Sequence, residues 1–322
     1  MADVNKGQLY ATAWQDYVKK EPTEQIFQYF WLLEQMRQGG GFKKGSGTPI
    51  TGTIEYQMNL TVKDISALET LDVTPTDTFD VYEYQWKLKA GLFTMSEFEK
   101  AVFADGGQKF TVNAAKMENL KNTMFKQLND DLYSDGTGTA GKQIGGVSLL
   151  VPNDPTTGTR GGISAATYTF WRSQQTSGAK SSTAYDNLRG AMRSMYNLCS
   201  SGVGMQNPEF GVTDRTTFEG YESLLVANER LVRGSKTDTA MTGYKGDHIA
   251  FKDISIAYDS AATSAQMYIL NRRNLFLRYL LWMKAFPASS ANNQFVDVVK
   301  ILNIAQLCTD NPRRLGVITA IT

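Results

Sequence analysis

The sequence predicts an α+β fold that contains a long β-hairpin. Three observations predict it: apolar and polar residues alternate strictly at 50–62 and at 82–90, apolar residues recur every three or four positions at 110–132, and the final third is rich in strand-like segments. Alternation with period two is typical of strands, whereas spacings of three and four are typical of helices. Helix, strand and helix follow one another in the middle of the chain, which implies an α+β domain.

The composition excludes several classes of protein. Of the 322 residues, 42% are hydrophobic and 20% are charged, which is far from the composition of a disordered chain. The 33 basic and 32 acidic residues give a net charge of +1, so no global field draws the chain onto a phosphate backbone. Cys199 and Cys308 are too few for a disulfide framework. The start has no apolar signal core and no apolar run approaches the ~18 residues of a membrane span, so neither secretion nor membrane insertion is expected.

The beginning of the chain predicts an arm followed by a helix. Trp14 and Tyr17 have a spacing that would place them on one helix face, and we expect this arm to need a partner surface. A helix is predicted from Pro22 to the glycines at 39–41. It carries Trp31 and other aromatic side chains, so it has too much apolar surface to be stable alone.

The two alternating segments predict a long hairpin. The first places Tyr56 and Met58 on its apolar side, and the second places Tyr84 and Trp86 on its apolar side. The 13 residues from 50 to 62 would span about 40 Å, far more than a common strand. A two-stranded ribbon is marginal alone, and one of this length is not easily covered within its own subunit. We therefore expect its aromatic face to contact other molecules.

The remaining elements follow from the same periodicities and from the positions of glycine and proline. The predicted helices are 97–103, 110–132, 184–198 and 216–233, and the predicted strands are 147–151, 210–212, 249–258, 267–270, 275–283, 295–307 and 315–321.

Residues 136–142, Gly-Thr-Gly-Thr-Ala-Gly-Lys, match the first seven positions of the phosphate-binding loop GxxxxGK[ST]. Gln143 stands where that loop carries a hydroxyl group for magnesium. A helix is predicted before these residues and an apolar strand after them, whereas a phosphate loop needs a strand before it and a helix after it. We therefore favour a flexible connection between domains over nucleotide binding by Lys142.

Groups that could catalyse a reaction or bind a metal are sparse. His248 is the only histidine, which excludes His-His metal pairs within this chain, and a lone histidine is more often a surface or core residue than a member of a serine-histidine-aspartate triad. Asp130, Asp131 and Asp135 form the densest acidic group, and a solvated helix end is favoured over cation binding. No cofactor, metal site or catalytic residue is predicted.

Short basic pairs at 43–44, 272–273 and 313–314 are too small for a surface that reads nucleic acid. Exposed turn charges are favoured, with ion pairs between subunits as the alternative.

Two stretches of sequence resemble a known family. One comprises 145–151, 161–163 and 168–172, and the other is the ending 307–318, Leu-Cys-Thr-Asp-Asn-Pro-Arg-Arg-Leu-Gly-Val-Ile. Together with the order of arm, hairpin, long helix and strand-rich end, they are similar to the Hong Kong 97-type major capsid proteins of tailed bacteriophages. Ser164 departs from the family pattern, in which an acidic residue commonly follows the Gly-Ile pair.

The resemblance implies four parts of the chain. They are an N-terminal arm at 1–45, an extended hairpin loop at 46–95, a peripheral domain with a long spine helix at 96–140 and 265–322, and an axial domain at 141–264. In this family the extended loop lies over a neighbouring subunit, which agrees with the contacts expected for the hairpin. The residues expected to touch neighbouring subunits are Trp14, Tyr17, Trp31, Tyr56, Met58, Lys63, Tyr84, Trp86, Lys87, Arg313 and Arg314.

The implied function is structural and not enzymatic. The chain would assemble through pentamers and hexamers into an icosahedral shell around double-stranded phage DNA, which the arginine pairs could face without sequence specificity. The expected partners are further copies of the chain and separate scaffolding, portal and decoration proteins, with no membrane. Assembly would take place in the cytoplasm of the bacterial host, and the product would be the virion capsid. Some members of this family join subunits through a bond between a lysine on the extended loop and an asparagine. Here the loop tip at 64–78 has no lysine and Lys63 lies only at its base, so we expect a shell without covalent cross-links.

Other functions remain as alternatives. An encapsulin-like nanocompartment shares the fold and encloses protein cargo in place of a genome. A nucleotide-dependent enzyme would use residues 136–142, and this alternative is disfavoured. A receptor-binding or tail structural protein would form fibres or small trimers, which electron microscopy distinguishes from shells.

Overall fold

A computed structural model describes most of the chain. Trp14, Tyr17 and the predicted helix start at Pro22 lie outside the described residues. The described residues are 30–59, 61–67, 70, 75–102, 106–178, 180, 185–200, 207–228, 243–245, 248–290 and 294–322.

The helices form where apolar residues recur at spacings of three and four. The long helix predicted at 110–132 is confirmed; it begins at Gly106 and its 27 residues extend over about 40 Å. In chain order the helices are α1 Trp31–Gln38, α2 Glu97–Val102, α3 Gly106–Leu132, α4 Gly138–Gly141, α5 Val147–Leu150, α6 Tyr185–Cys199 and α7 Arg215–Asn228, with 3₁₀ turns at Thr169–Trp171 and Pro312–Arg314.

The strands are mostly short and are concentrated in the second half of the chain. In chain order they are β1 Phe42–Lys44, β2 Ile50–Glu55, β3 Phe79–Tyr84, β4 Lys87–Ser96, β5 Thr159–Arg160, β6 Ile163–Ser164, β7 Gln174–Thr176, β8 Phe210–Thr213, β9 Gly243–Lys245, β10 His248–Phe251, β11 Ile254–Tyr258, β12 Met267–Leu270, β13 Leu275–Ala285, β14 Ser289–Ser290, β15 Val296–Thr309 and β16 Gly316–Ile318.

Two sheets organise these strands. In the five-stranded sheet the long strand β15 pairs with β13, β14 and β4, and β13 also pairs with β1. The seven-stranded sheet has the order β7-β16-β12-β8-β11-β10-β9. Two separate ribbons, β2 with β3 and β5 with β6, complete the pairing. The α+β class predicted from the sequence is confirmed.

The predicted long hairpin is wrong in its length and in its second strand. β2 has six residues and pairs with β3, so the ribbon spans about 20 Å and not 40 Å. The predicted strand at 82–90 is divided after Tyr84, and its second half belongs to β4, which pairs with β15 in another sheet. The alternation of side chains continues through both strands, and alternation alone does not reveal the pairing partner.

Two other predicted strands also need correction. Residues 147–150 form α5 because Val147 and Leu150, three positions apart, are both buried, and a short apolar run fits a helical turn as well as a strand. The segment 249–258 is the hairpin β10–β11, in which Lys252 takes a positive φ of 51° at the turn. The strand predicted at 267–270 is confirmed as β12.

The spine helix α3 packs directly on one face of the five-stranded sheet. Gly91 in β4 allows this approach, since a Cβ atom there would lie 2.8 Å from Leu120 Cδ1 and 3.1 Å from Met124 Sδ. The seven-stranded sheet is covered by α6, whose Leu188 and Met192 are fully buried in a second apolar core.

The domain boundaries stay a prediction. β12 and β16, which the sequence assigns to the peripheral domain, pair with each other, and β12 also pairs with β8 from the predicted axial domain. Strands distant in sequence share this sheet because hydrogen-bond pairing does not depend on chain order.

Candidate subunit interface

The ribbon β2–β3 has two faces of different character. Tyr82 and Tyr84 are 4% and 5% exposed and lie with Ile50 in the main apolar core. The opposite face carries Phe79 and Val81, which are 64% and 52% exposed. The inference that the aromatic face must be covered by other molecules is therefore wrong for Tyr82 and Tyr84, because their own subunit covers them.

Residues 155–172, here called the anchor loop, support the buried face of the ribbon. Glu83 N donates to Gly161 O at 2.8 Å, and Gly161 has a positive φ of 54°. A Cβ atom on Gly161 would lie 2.9 Å from the Tyr84 ring, so glycine is needed both for its conformation and for the close approach.

Four apolar side chains are exposed on the ribbon and on the segment that follows β2. We call Met58, Val62, Phe79 and Val81 the hairpin patch; Met58 and Val62 are more than four-fifths exposed. The region is acidic, since Lys63 is the only basic residue between positions 51 and 84. Its acidic residues are Glu55, Asp64, Glu69, Asp72, Asp77, Asp80 and Glu83.

A second exposed apolar surface lies on the face of the five-stranded sheet opposite α3. We call Leu88, Ala90, Leu92, Leu302 and Phe286 the sheet patch. Cross-strand pairing brings Ala90 beside Leu302, and these residues line a cavity of about 360 Å³ together with Leu92 and Phe286. This surface was not predicted from the sequence, although Leu88, Ala90 and Leu92 alternate with polar residues or glycine.

The sheet patch carries positive charge. Lys300 is directly opposite Leu92, and Lys284 is directly opposite Leu302, so both lysines lie on the same face as the patch. Both are exposed, and Lys284 Nζ lies 5.7 Å from the Phe286 ring centroid. The two apolar surfaces therefore carry charges of opposite sign.

Two of the residues expected at subunit contacts are buried within the subunit. Trp31 is 5% exposed, its Nε1 donates to Gly211 O at 3.1 Å, and its ring stacks on His248 with centroids 5.7 Å apart. Tyr84 Oη donates to Thr309 O at 3.3 Å, and burial raises the pKa of this phenol. Trp31 and Tyr84 were expected at subunit contacts, and their burial within the subunit corrects this expectation. A large aromatic side chain with one polar atom fits an interior that offers a carbonyl acceptor.

The other candidate contact residues are at least partly accessible. Met58 and Arg313 are exposed, and Arg314 is half-buried. Lys63 is exposed and its Nζ donates to Thr70 O at 3.3 Å. Tyr56 is half-buried against Phe170. Their contacts with a neighbouring subunit stay predictions.

Trp86 and Lys87 are half-buried and already have partners. Trp86 Nε1 donates to Gly47 O at 2.8 Å, and Lys87 Nζ donates to Gly141 O at 2.5 Å. These contacts connect residues 86–87, where the chain passes from β3 to β4, with Gly47 before β2 and Gly141 at the end of α4. A role of Trp86 and Lys87 between subunits also stays a prediction.

The glycine-rich segment at 136–142 lacks the surroundings of a phosphate loop. α3 precedes it, and the segment itself contains the four-residue helix α4, in which Thr139 and Ala140 have positive φ. Gln143 Nε2 donates to Asp131 Oδ1 at 2.8 Å. This arrangement opposes nucleotide binding.

The charged groups singled out from the sequence have local partners. Asp131 is 6% exposed and pairs with Lys89, so the expected solvated helix end is wrong for this residue. Arg272 and Arg273 lie 3.8 and 3.7 Å from the carboxylate of Glu209. Within the described part of the chain, no cluster of three histidine, cysteine or acidic residues could hold a metal ion, and no helix is long and apolar enough to cross a bilayer.

Comparison with known proteins places this geometry in a structural class. No family model and no curated protein matches the sequence. A chain of the cyanophage A-1(L) capsid asymmetric unit is 16% identical, with a TM-score of 0.70 over 94% of this chain and 95% of its own. A chain from the capsid of the native GTA particle is 10% identical, with a TM-score of 0.65 over 94% of both chains.

The similarity also extends to an encapsulin. A chain of the holo-SrpI encapsulin complex from Synechococcus elongatus is 10% identical, with a TM-score of 0.51 over 100% of this chain and 96% of its own. The phage capsid chain fits better over a similar share of both chains. The chain therefore has the Hong Kong 97-type capsid fold.

Proposed function

We propose that this chain is a major capsid protein that assembles into an icosahedral shell around double-stranded phage DNA. The observation that carries the proposal is the pair of exposed apolar surfaces on one subunit, the acidic hairpin patch and the basic sheet patch. Exposed apolar patches are typical of interaction sites in soluble proteins. The capsid fold supports the choice of a shell among the possible assemblies.

The two surfaces are suited to a head-to-tail contact between copies. Because the hairpin patch and the sheet patch are different surfaces, their contact is heterologous, and such contacts form closed rings when the rotation between subunits closes. Opposite charges around the two patches favour this pairing over the pairing of two identical patches. Weak contacts of this type are sufficient, since each subunit in a shell has several neighbours.

The remaining partners and the location belong to the same proposal. With a net charge of +1, the chain would enclose DNA without binding it tightly. The arginine pair Arg313-Arg314 is a candidate for contact with that DNA. Scaffolding, portal and decoration functions would reside in other proteins, and the assembled chain would form the virion capsid after assembly in the bacterial cytoplasm. We expect the contacts between subunits to be noncovalent.

The encapsulin-like compartment is the second candidate and is less favoured. The similarity in fold to an encapsulin chain supports this candidate. That similarity has a TM-score of 0.51, which is lower than the 0.70 of the cyanophage capsid chain. The nature of the enclosed material separates the two, since a capsid co-purifies with nuclease-protected DNA and a compartment with protein cargo.

Negative-stain electron microscopy of the purified chain tests the proposal. Closed shells, or plates of hexamers and pentamers, are expected. Fibres, small trimers or a monomer at all concentrations would refute it. Denaturing electrophoresis of the particles tests whether the contacts between subunits are noncovalent. A ladder of covalently linked subunits would contradict this expectation.

A further inference from the structure

Two aromatic stacks at separate points join the ribbon β2–β3 to the anchor loop, in addition to the contacts of Gly161 with Glu83 and Tyr84 at the base of the ribbon. Near its base the Tyr82 ring stacks on Trp171, with centroids 6.1 Å apart and planes inclined at 23°. Just beyond its outer end the Tyr56 ring stacks on Phe170, with centroids 5.0 Å apart and planes inclined at 25°. Tyr56 lies four residues from Gly52, the cross-strand partner of Tyr82, so the supports are separated by roughly 13 Å along the ribbon.

The anchor loop holds its own shape through two arginines. The Arg160 guanidinium is buried and donates to the carbonyl oxygens of Thr157 at 3.0 Å and Trp171 at 3.3 Å, while Trp171 Nε1 donates back to Arg160 O at 2.8 Å. Arg172 Nε donates to Ala165 O at 2.7 Å. The loop is therefore a rigid support for the ribbon.

The two supports differ in burial. Trp171 and Tyr82 belong to the main apolar core, so the inner support is part of the folded subunit. Phe170 and Tyr56 are only half-buried, and Tyr168, which is 45% exposed, flanks Phe170 with ring centroids 5.5 Å apart. Phe170 packs against the edge of the main core, with its ring centroid 6.5 Å from that of Trp171, whereas Tyr56 is not part of the core. Loss of the outer stack would leave the Tyr82–Trp171 stack in place and would allow the ribbon to turn about its base.

We propose that Phe170 is a positioning residue for assembly: its stack with Tyr56 sets the angle at which the hairpin patch projects, and this angle sets the curvature of the shell. The inference rests on the proposed function. In a heterologous contact the rotation between neighbouring subunits follows from the relative orientation of the two contacting surfaces. A ribbon held only at its base would accept several rotations and would give particles of several sizes.

The first test measures the direction of the ribbon in the unassembled subunit. Spin labels on V81C in the ribbon and S194C in α6 report the distance between the two elements; the native cysteines, Cys199 and Cys308, are buried. F170A and Y56A are expected to broaden the distance distribution, whereas Y56F, which retains a ring, keeps it narrow. The double variant F170A/Y56A should broaden it no further than either single variant. An unchanged distribution in F170A would overturn the inference.

The second test measures particle diameters by electron microscopy. The unmodified chain and Y56F are expected to give one narrow size class, and F170A and Y56A are expected to lose it. A single unchanged size class from F170A would overturn the link between the stack and curvature, even if the spin-label distances broaden. If the unmodified chain forms no particles, the proposed function fails together with this link, while the spin-label result still decides whether Phe170 holds the ribbon.

Discussion

Lys89 Nζ lies 2.5 Å from Asp131 Oδ2, and this ion pair joins β4 to the last turn of α3. The same ammonium group donates to Gln127 O at 2.9 Å. The Lys89 and Asp131 side chains are 16% and 9% exposed, so neither charge is well solvated. The ion pair attaches β4 to α3. Leu88 and Leu92 of the sheet patch lie on the opposite face of β4.

The variant K89M should destabilise the subunit, because it leaves the Asp131 carboxylate buried without its counter-charge. Removing one partner of a buried pair costs about 3 kcal/mol of the free energy of unfolding. R215M is a suitable control, since Arg215 and Glu219 form an exposed pair at 2.6 Å and its loss costs less than about 1 kcal/mol. Urea unfolding of the unassembled subunit measures both changes in the free energy of unfolding. Equal losses in K89M and R215M would contradict the difference in burial between the two ion pairs.

The close packing of α3 on β4 predicts an unequal response to two glycine substitutions. G91V should lower the free energy of unfolding by about 1–3 kcal/mol, because the new side chain would meet Leu120 and Met124. G190A in α6 should be stabilising by about 0.4–1 kcal/mol, since its new methyl group would meet no atom within 4 Å apart from its chain neighbours and the backbone of its own helix. Thermal unfolding compares the two, and tolerance of G91V would mean that α3 lies further from the sheet.

The two exposed apolar surfaces predict variants that assemble poorly but fold normally. F79S in the hairpin patch and L92S in the sheet patch should reduce the yield of particles, while the free energy of unfolding changes by less than about 0.5 kcal/mol. L198S is the control, because Leu198 is an exposed apolar residue of α6 outside both patches. Sedimentation of assembly reactions gives the yields, and equal yields for all three variants would exclude these patches as contacts.

Asp259 predicts a specific dependence of stability on pH. Its carboxylate accepts hydrogen bonds from Leu32 N at 3.2 Å and from Asn129 Nδ2 at 2.7 Å, linking α1 and α3 to the end of β11. Burial raises the pKa of Asp259 above its ordinary value of 3.8, despite these donors. Between 3.8 and the raised pKa the folded state binds more protons than the unfolded state, so the stability due to this group is complete at lower pH and declines as pH rises.

D259N removes this titration while it also weakens the hydrogen bonds. The difference in the free energy of unfolding between the natural chain and D259N should therefore be largest near pH 3 to 4 and should shrink as pH rises, at roughly 1.4 kcal/mol per unit at most. Urea unfolding at several pH values measures the difference. A difference that grows with pH would show that the donors outweigh burial and lower the pKa of Asp259.

The periodic pattern of the chain was a reliable guide to single elements. The apolar spacing at 110–132 predicted α3, and the apolar run at 267–270 predicted β12 residue for residue. The segment 147–151 was too short for its period to distinguish a strand from the helical turn α5. Likewise, the run at 249–258 concealed the turn at Lys252.

The candidate contact surface could be predicted only in part. Met58 was selected from the sequence and is exposed, whereas Trp31 and Tyr84 were selected for their aromatic size and are buried. Phe79 and Val81 were missed because the predicted strand began at Tyr82, whereas β3 begins at Phe79. The sheet patch was missed because it requires the pairing of β4 with β15, far apart in the sequence.

By itself, the sequence determined the α+β class and the spine helix, because local periodicity acts through neighbouring residues. Tertiary structure decided where each strand pairs and which aromatic side chains are covered. The chain leaves the ribbon β2–β3 at Tyr84 and enters the five-stranded sheet at Lys87, while apolar and polar residues continue to alternate along the sequence. Burial and exposure depend on contacts between distant segments, and those contacts left Phe79 and Leu92 exposed while they enclosed Tyr82 and Tyr84.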